Sequence, residues 1–201
     1  MVQWIMNKKI KKANVLSTLS LFGIGMKRQS VDIQTYHPNW KEAFSFVKEQ
    51  IKSILPKDIF CQIEHVGSTS IPGLSAKPIL DILLIVHDAS DLKKLIPILE
   101  AFGFAYKGDG VSLVHGTVAD PERHTFSFYN DEETVDFIHA HMTRQNHVHG
   151  KSLLFFRDRL RASQKLAEEY QALKVKLWQD GIVRREYTRS KSSFIEKIIS
   201  F

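Results

Sequence analysis

Cysteine is almost absent: Cys61 is the only one in 201 residues. No internal disulfide can form, which fits a reducing compartment and makes a cytoplasmic location the expectation. The thiol sits in an apolar run and reads as a structural group rather than a nucleophile. No stretch approaches the ~20 consecutive apolar residues of a membrane helix, so no membrane span is expected. Internal repeats and low-complexity tracts are also missing. Acid is missing from one region: residues 1–28 hold six bases and no Asp or Glu. There Lys8, Lys9, Lys11 and Lys12 precede the apolar stretch from Val15 to Gly25, imitating a secretory signal without a clear small-x-small cleavage site. The expectation is an N-terminal extension over residues 1–30, disordered or weakly helical, with a true start at Met26 as the alternative.

What is present suits one domain. At 43% hydrophobic the chain can bury a sizeable core. The net charge of +6 is unevenly spread. Residues 144–201 carry 13 bases and 6 acids, whereas residues 29–143 carry 9 bases and 16 acids. An acidic half facing a basic half suits a small anion or a metal-bound phosphate between them. Outside residues 1–28 the chain is neutral, and no face interleaves aromatics with bases, so nucleic acid is not an expected partner.

Periodicity places the elements. Trp40, Phe44, Val47, Ile51 and Leu55 recur at helical spacing after a candidate cap at Asn39, and Pro56 ends the run. Ile59–Val66 and Ile79–Val86 read as strands, the second apolar except for Asp81. A helix from Ser90 or Asp91 through Phe102 stops at Gly103. Gly108–Gly110 reads as a turn and Val111–Val114 as a short strand. Residues 123–142 form an antiparallel hairpin turning at Asn130-Asp131. Three helices follow, marked by Leu153, Phe156 and Leu160, by Leu166, Tyr170, Leu173 and Leu177 after a Ser163 cap, and by Phe194, Ile195, Ile198 and Ile199. The expected class is α/β or α+β: a mixed β-sheet flanked by helices, with a C-terminal helical segment.

Candidate chemistry gathers around the loop between the first two strands. Gly67, Ser68, Thr69 and Ser70 offer hydroxyls and backbone N–H groups to phosphate oxygens. This is not a Walker loop, because Lys77 lies beyond Pro72-Gly73 instead of directly before a Ser or Thr. Asp81 is costly to bury unpaired, so it should meet a cation, Lys77 for example, or hold a metal at an open edge. Period two puts Leu83, not a second carboxylate, on its face. His139 and His141 share one strand face, opposite Ile138, Ala140 and Met142, and suit metal binding, phosphate donation or proton transfer. Regular alternation puts Asp136 on the other face. His147 and His149 read as a polar loop. Arg157 and Arg161 share a helix face at i, i+4, with Asp158 beside them, a spacing that suits an anion. Tyr170 with Lys174 and Tyr187 with Lys191 repeat it.

Together these residues resemble the GrpB-like proteins, a branch of the nucleotidyltransferase superfamily. The matching text is Tyr36-His37-Pro38 with Trp40, His65 through Leu74, Ala76-Lys77-Pro78, Asp81, His139-x-His141, Phe156-Arg157-Asp158-x-Leu160-Arg161, Glu169-Tyr170 with Leu173-Lys174, and Tyr187 with Lys191. The resemblance covers about residues 33–200 and gives a domain over 31–201. It implies a nucleotidyltransferase-type core with the Gly-Ser turn facing phosphates and Asp81 in the metal-carboxylate position. It also implies kinship with domains sometimes fused to dephospho-CoA kinase, whose Walker loop this chain lacks. The superfamily strand reads Asp-x-Asp or Asp-x-Glu, so Leu83 departs from it, and Glu64 or the His139/His141 pair would have to complete a Mg²⁺ or Mn²⁺ site. The implied ligand is a nucleotide or phosphorylated small molecule, with metal-dependent nucleotidyl transfer as the implied chemistry. A non-catalytic sensing or interaction module using the same pocket is the alternative.

Overall fold

The computed structural model describes residues 2–111, 119–132 and 134–199. Seven helices and six strands run through them. The strands are β1 (Met26–Lys27), β2 (Cys61–Val66), β3 (Leu80–Val86), β4 (Ala105–Val111), β5 (Ala119–Asn130) and β6 (Val135–Arg144). The helices are α1 (Val2–Leu21), α2 (Asn39–Lys52), α3 (Ala89–Phe102), α4 (Val148–Ala162), α5 (Gln164–Gln179), α6 (Arg184–Arg189) and α7 (Ser192–Ile199), with a 3₁₀ turn at Ser68–Ser70. The sheet order is β2-β3-β6-β5-β4, with β1 also on β6. Only the β3–β6 pairing is parallel, so the sheet is mixed, as expected from the sequence.

Alternation along β3 divides the molecule. Leu80, Ile82, Leu84 and Val86, with Ala140 and Met142 of β6, are fully buried in the main core with Val47 and Ile51 of α2 and Leu95 and Leu99 of α3. Each of these side chains other than Ala140 contributes about 1.5–3 kcal/mol on burial. The other face carries Asp81, His139 and His141, and α4 packs there against β2 and β6. Gly150 permits the close approach: a Cβ on it would lie 2.9 Å from Thr143 Oγ1 and 3.8 Å from Leu83 Cδ2. Leu83 is therefore fully buried beneath α4, in the place a second strand carboxylate would take.

Several local expectations are corrected. The segment read as a weak extension is built into the fold: Val15, Leu19 and Ile24 join the main core, Met26 is buried, and Gly25 N–H donates to Pro78 O at 2.8 Å. α1 has little helical amphipathicity, so its buried residues were not marked by spacing. Asn39 does not cap α2; its N–H instead donates to the His37 imidazole at 3.3 Å. Gly108 and Gly110 form no turn but lie within β4, where the register with β5 shifts around Asp109. Val111 closes that strand, and residues 112–114 lie outside the described residues. The hairpin turning at Asn130-Asp131 and the Ser163 cap, which accepts from Leu166 N–H at 3.3 Å, match expectation. α6 carries too few apolar residues to be read from periodicity.

Candidate functional site

Asp81 lies near the start of β3, paired in register with Val66 on one side and His139 on the other. Its neighbour across the turn, Gly67, has φ 68° and ψ −174°, backbone open essentially to glycine alone. A Cβ on Gly67 would also collide with the Asp81 carboxylate. Gly67 thus makes room for Asp81. Of the other turn residues, Ser70 Oγ donates to Gly67 O at 2.6 Å, and Thr69 Oγ1 donates to Ile79 O at 3.3 Å. The Thr69 hydroxyl also meets His65 Nε2 at 3.0 Å. Because that hydroxyl proton goes to Ile79, His65 carries its own proton on Nε2. Burial holds the His65 imidazole down at about 3, hence neutral. Of the three turn hydroxyls expected to hold phosphate, those of Thr69 and Ser70 are committed to the turn itself, and that of Ser68, which lines a cleft beside Asp81, is hydrogen-bonded to Tyr170.

That cleft has a volume of about 390 Å³. Asp81 is its only carboxylate among the described lining residues, against Lys77, Lys107, Lys174, Lys191 and Arg184. Three of these cations are strained by their surroundings. Burial, then the Arg184 charge, brings Lys77 down to about 8. Burial, then Lys191 and Lys77, brings Lys174 to about 7. Burial, then Lys77, brings Lys191 to about 8. Tyrosine rings support them: Lys77 and Lys191 lie 5.1 and 4.5 Å from the Tyr187 ring centroid, and Lys174 lies 4.9 Å from that of Tyr170. Lys174 also donates to Ser75 O. Burial would raise the Asp81 carboxyl, but the hydrogen bond from His139 and the Lys77 charge hold it below the usual carboxylate range.

The histidines form a layered set. His139 Nδ1 is 3.5 Å from Asp81 Oδ1, and its Nε2 is 3.4 Å from Arg184 Nη2. An arginine N–H only donates, so Nε2 accepts and the imidazole proton rests on Nδ1, towards Asp81. Arg184 Nη1 binds Asp136 Oδ2 at 2.9 Å. A register shift in β6 puts Asp136 opposite Tyr129 and Ile138 opposite Phe128, which turns Asp136 to the His139 face, contrary to regular alternation. His147 and His149 are not in a polar loop. His147 caps α4 and meets Asp120 Oδ2 at 3.0 Å, and His149 Nε2 lies 3.5 Å from His141 Nδ1. Burial holds His141 at about 4 and His149 at about 2. Arg184, His147 and His149 were not singled out as site residues; only their surroundings in the fold reveal them.

The arginines of α4 lie elsewhere. Arg157 Nη1 binds Glu64 Oε2 at 2.7 Å and His65 O at 3.1 Å, and its Nε binds Asp158. Arg161 holds Ser70 O through Nε and Nη2 at 3.2 and 2.8 Å. Both line a second cleft of about 950 Å³, with Glu64, on the other side of the Gly67–Ser70 turn. Neither Arg157, Arg161 nor Glu64 lines the Asp81 cleft. The expected Glu64–Asp81 metal pair is therefore not assembled. No cluster of three or more His, Cys, Asp or Glu suited to a metal occurs among the described residues. A resident Mg²⁺ or Mn²⁺ wants several oxygen ligands, and one carboxylate amid lysines does not fit it. The arrangement fits an anion. Cys61 is partly buried, and burial pushes its thiol up to about 12, so it is no nucleophile.

No helix among the described residues is long and apolar enough to cross a membrane. Known proteins agree with the architecture. The chain is 32% identical over 171 residues to a UPF0157 protein of Halalkalibacterium halodurans, covering 85% of this chain and 81% of that one. It is 35% identical to UPF0157 protein YqkA of Bacillus subtilis, over 79% of this chain but only 43% of that longer one. The crystal structure of conserved protein GrpB from Enterococcus faecalis superposes with TM-score 0.70 at 29% identity, covering 84% of this chain and 95% of that one. A chain of the Cid1 poly(U) polymerase is similar at TM-score 0.45 and 12% identity, a likeness too slight to bear on function. The family model described as GrpB protein matches residues 30–200, and the chain belongs to the GrpB family.

Proposed function

We propose that the Asp81 cleft binds a nucleotide or a similar phosphorylated small molecule in the cytoplasm. One observation carries the reading: Lys77, Lys174, Lys191 and Arg184 converge on a cleft that, among the described residues, a single carboxylate lines. Lysines held near 7 or 8 by burial and mutual repulsion gain most from an anion that restores their charge. Two or three phosphate oxygens between these ammoniums would do so. Asp81 opposes the loss of charge at Lys77 and Lys191. Any Mg²⁺ or Mn²⁺ would arrive as the counter-ion of the ligand.

A catalytic version has its own support in the Asp81–His139 pair. With its proton on Nδ1 towards Asp81 and its Nε2 accepting from Arg184, His139 would act as a base only once a ligand draws Arg184 away, and the lysines would stabilise charge on a departing phosphate. Leu83 leaves no second strand carboxylate for two-metal transfer. Binding without turnover, as a sensing module, is therefore the reading the geometry supports better.

Thermal unfolding with a panel of nucleoside di- and triphosphates, with and without Mg²⁺ or Mn²⁺, separates these outcomes. A bound nucleotide raises Tm with the logarithm of its concentration above Kd. Pyrophosphate release that stops in Asp81→Asn would establish the catalytic version. Stabilisation without turnover leaves the sensing module, and no response to any nucleotide or to pyrophosphate sinks the phosphate pocket.

A further inference from the structure

We infer that the larger cleft, on the far side of the Gly67–Ser70 turn, is a second ligand site taking a flat apolar molecule that carries an anionic group. It does not rest on the reading of the Asp81 cleft. Its walls come from α2, the end of β2, the turn and the α4–α5 pair, and its volume is about 950 Å³, more than twice the 390 Å³ of the other cleft. Lys41, Lys48, Arg157 and Arg161 line it against two carboxylates, Glu64 and Glu168. Glu64 is already taken by Arg157 at 2.7 Å. Lys41 and Lys48 make no salt bridge among the described residues, and Arg161 uses only Nε and Nη2 on Ser70 O, leaving Nη1 open. The cations thus exceed what the fold uses.

The cleft also has an aromatic wall. Phe44 is stacked on His65 with centroids 4.7 Å apart and planes 12° apart, so the imidazole covers one ring face and fixes its orientation. Lys48 Nζ stands 5.7 Å from the Phe44 centroid. Tyr36 lines the same cleft and is braced edge-on by Trp40 at 5.6 Å. An aromatic surface with fixed orientation beside unpaired ammoniums and a guanidinium recognises a ring and a negative charge together. A free inorganic anion would leave the aromatic wall without a partner.

The test titrates the full chain with 1-naphthyl phosphate and, separately, 1-naphthoate, by calorimetry. The two arms distinguish a phosphate from a carboxylate as the preferred anion. Lys41→Glu/Lys48→Glu, on side chains outside the core, should weaken binding at least tenfold, and Phe44→Ala should do the same with the fold verified by circular dichroism. Lys191→Ala should leave 1-naphthoate binding unchanged. Binding of neither probe, binding indifferent to the double charge reversal, or naphthoate binding lost in Lys191→Ala would overturn the site. Pyrophosphate affinity, read on the same variants, should fall in Lys191→Ala and hold in Lys41→Glu/Lys48→Glu if the Asp81 cleft is the phosphate site, so either reading can fail without the other.

Discussion

The arginines of α4 and the lysines that follow them share one sequence pattern and meet opposite fates. Arg157 and Arg161 are spaced i, i+4, as are Tyr170 and Lys174, and Tyr187 and Lys191. The guanidiniums fork onto Glu64, His65 O and Ser70 O, clamping α4 to the end of β2 and its turn. The ammoniums collect with little neutralisation around Asp81. A planar fork with several fixed donors suits the joining of backbone and carboxylate, whereas a compact ammonium on a long stem can await a ligand. Equal spacing therefore predicted one anion site where the fold makes a structural clamp and a cationic cleft.

Four perturbations would break or sharpen that contrast. Gly67→Ala should have the largest effect, about 3 kcal/mol of stability or more, because it combines forbidden backbone with a collision against Asp81. Urea unfolding measures it, and a loss under 1 kcal/mol would mean that the turn is not fitted around the carboxylate. Arg157→Ala comes next, at about 2–3 kcal/mol, since it leaves Glu64 half-buried without its cation. Unchanged stability would demote the clamp to a surface contact. Lys191→Ala should behave in the reverse sense: stability within about 1 kcal/mol of the parent, because a desolvated and repelled charge is removed, but pyrophosphate affinity at least tenfold lower. A protein destabilised as much as Arg157→Ala would erase the distinction.

The smallest effect is the pH dependence. Lys77, Lys174 and Lys191 have folded values of about 8, 7 and 8, below the ordinary lysine value of 10.5. Between about pH 7 and 10 the unfolded chain therefore binds more protons than the folded one, and these groups make the ligand-free protein more stable as pH rises through that window. Below about pH 6 all three are charged in both states, and their full repulsion is present. A phosphate ligand raises their pKa values, so binding takes up protons near pH 8 and weakens as the lysines neutralise above it. Calorimetry in buffers of differing ionisation heat detects the uptake, and its absence would remove the lysines from the site.

The sequence carried the sheet and most helices because burial imposes a period on local residues. Asp81 was legible as a carboxylate in an apolar strand, and His139 and His141 as one face of β6. What stayed hidden depends on partners far along the chain. Arg184 sits in a short polar helix and gains meaning only by reaching Asp136 and His139. The register shift at Phe137 is invisible to strict alternation, and it reverses the face of Asp136. Ser70 and Thr69 looked like phosphate donors because composition cannot show that their hydroxyls are used within their own turn. Leu83 was legible as a departure from a carboxylate pattern, and Gly150 shows its packing role: that position is closed over by α4.

Whether three crowded lysines form an anion site is decided by nuclear magnetic resonance of ¹³C-labelled lysine side chains, titrated with and without inorganic pyrophosphate. Lys77, Lys174 and Lys191, assigned by single substitutions, should titrate near 8, 7 and 8 alone and shift upwards when pyrophosphate is added. Three lysines titrating at the ordinary value of 10.5, or failing to respond to pyrophosphate, would contradict such a site.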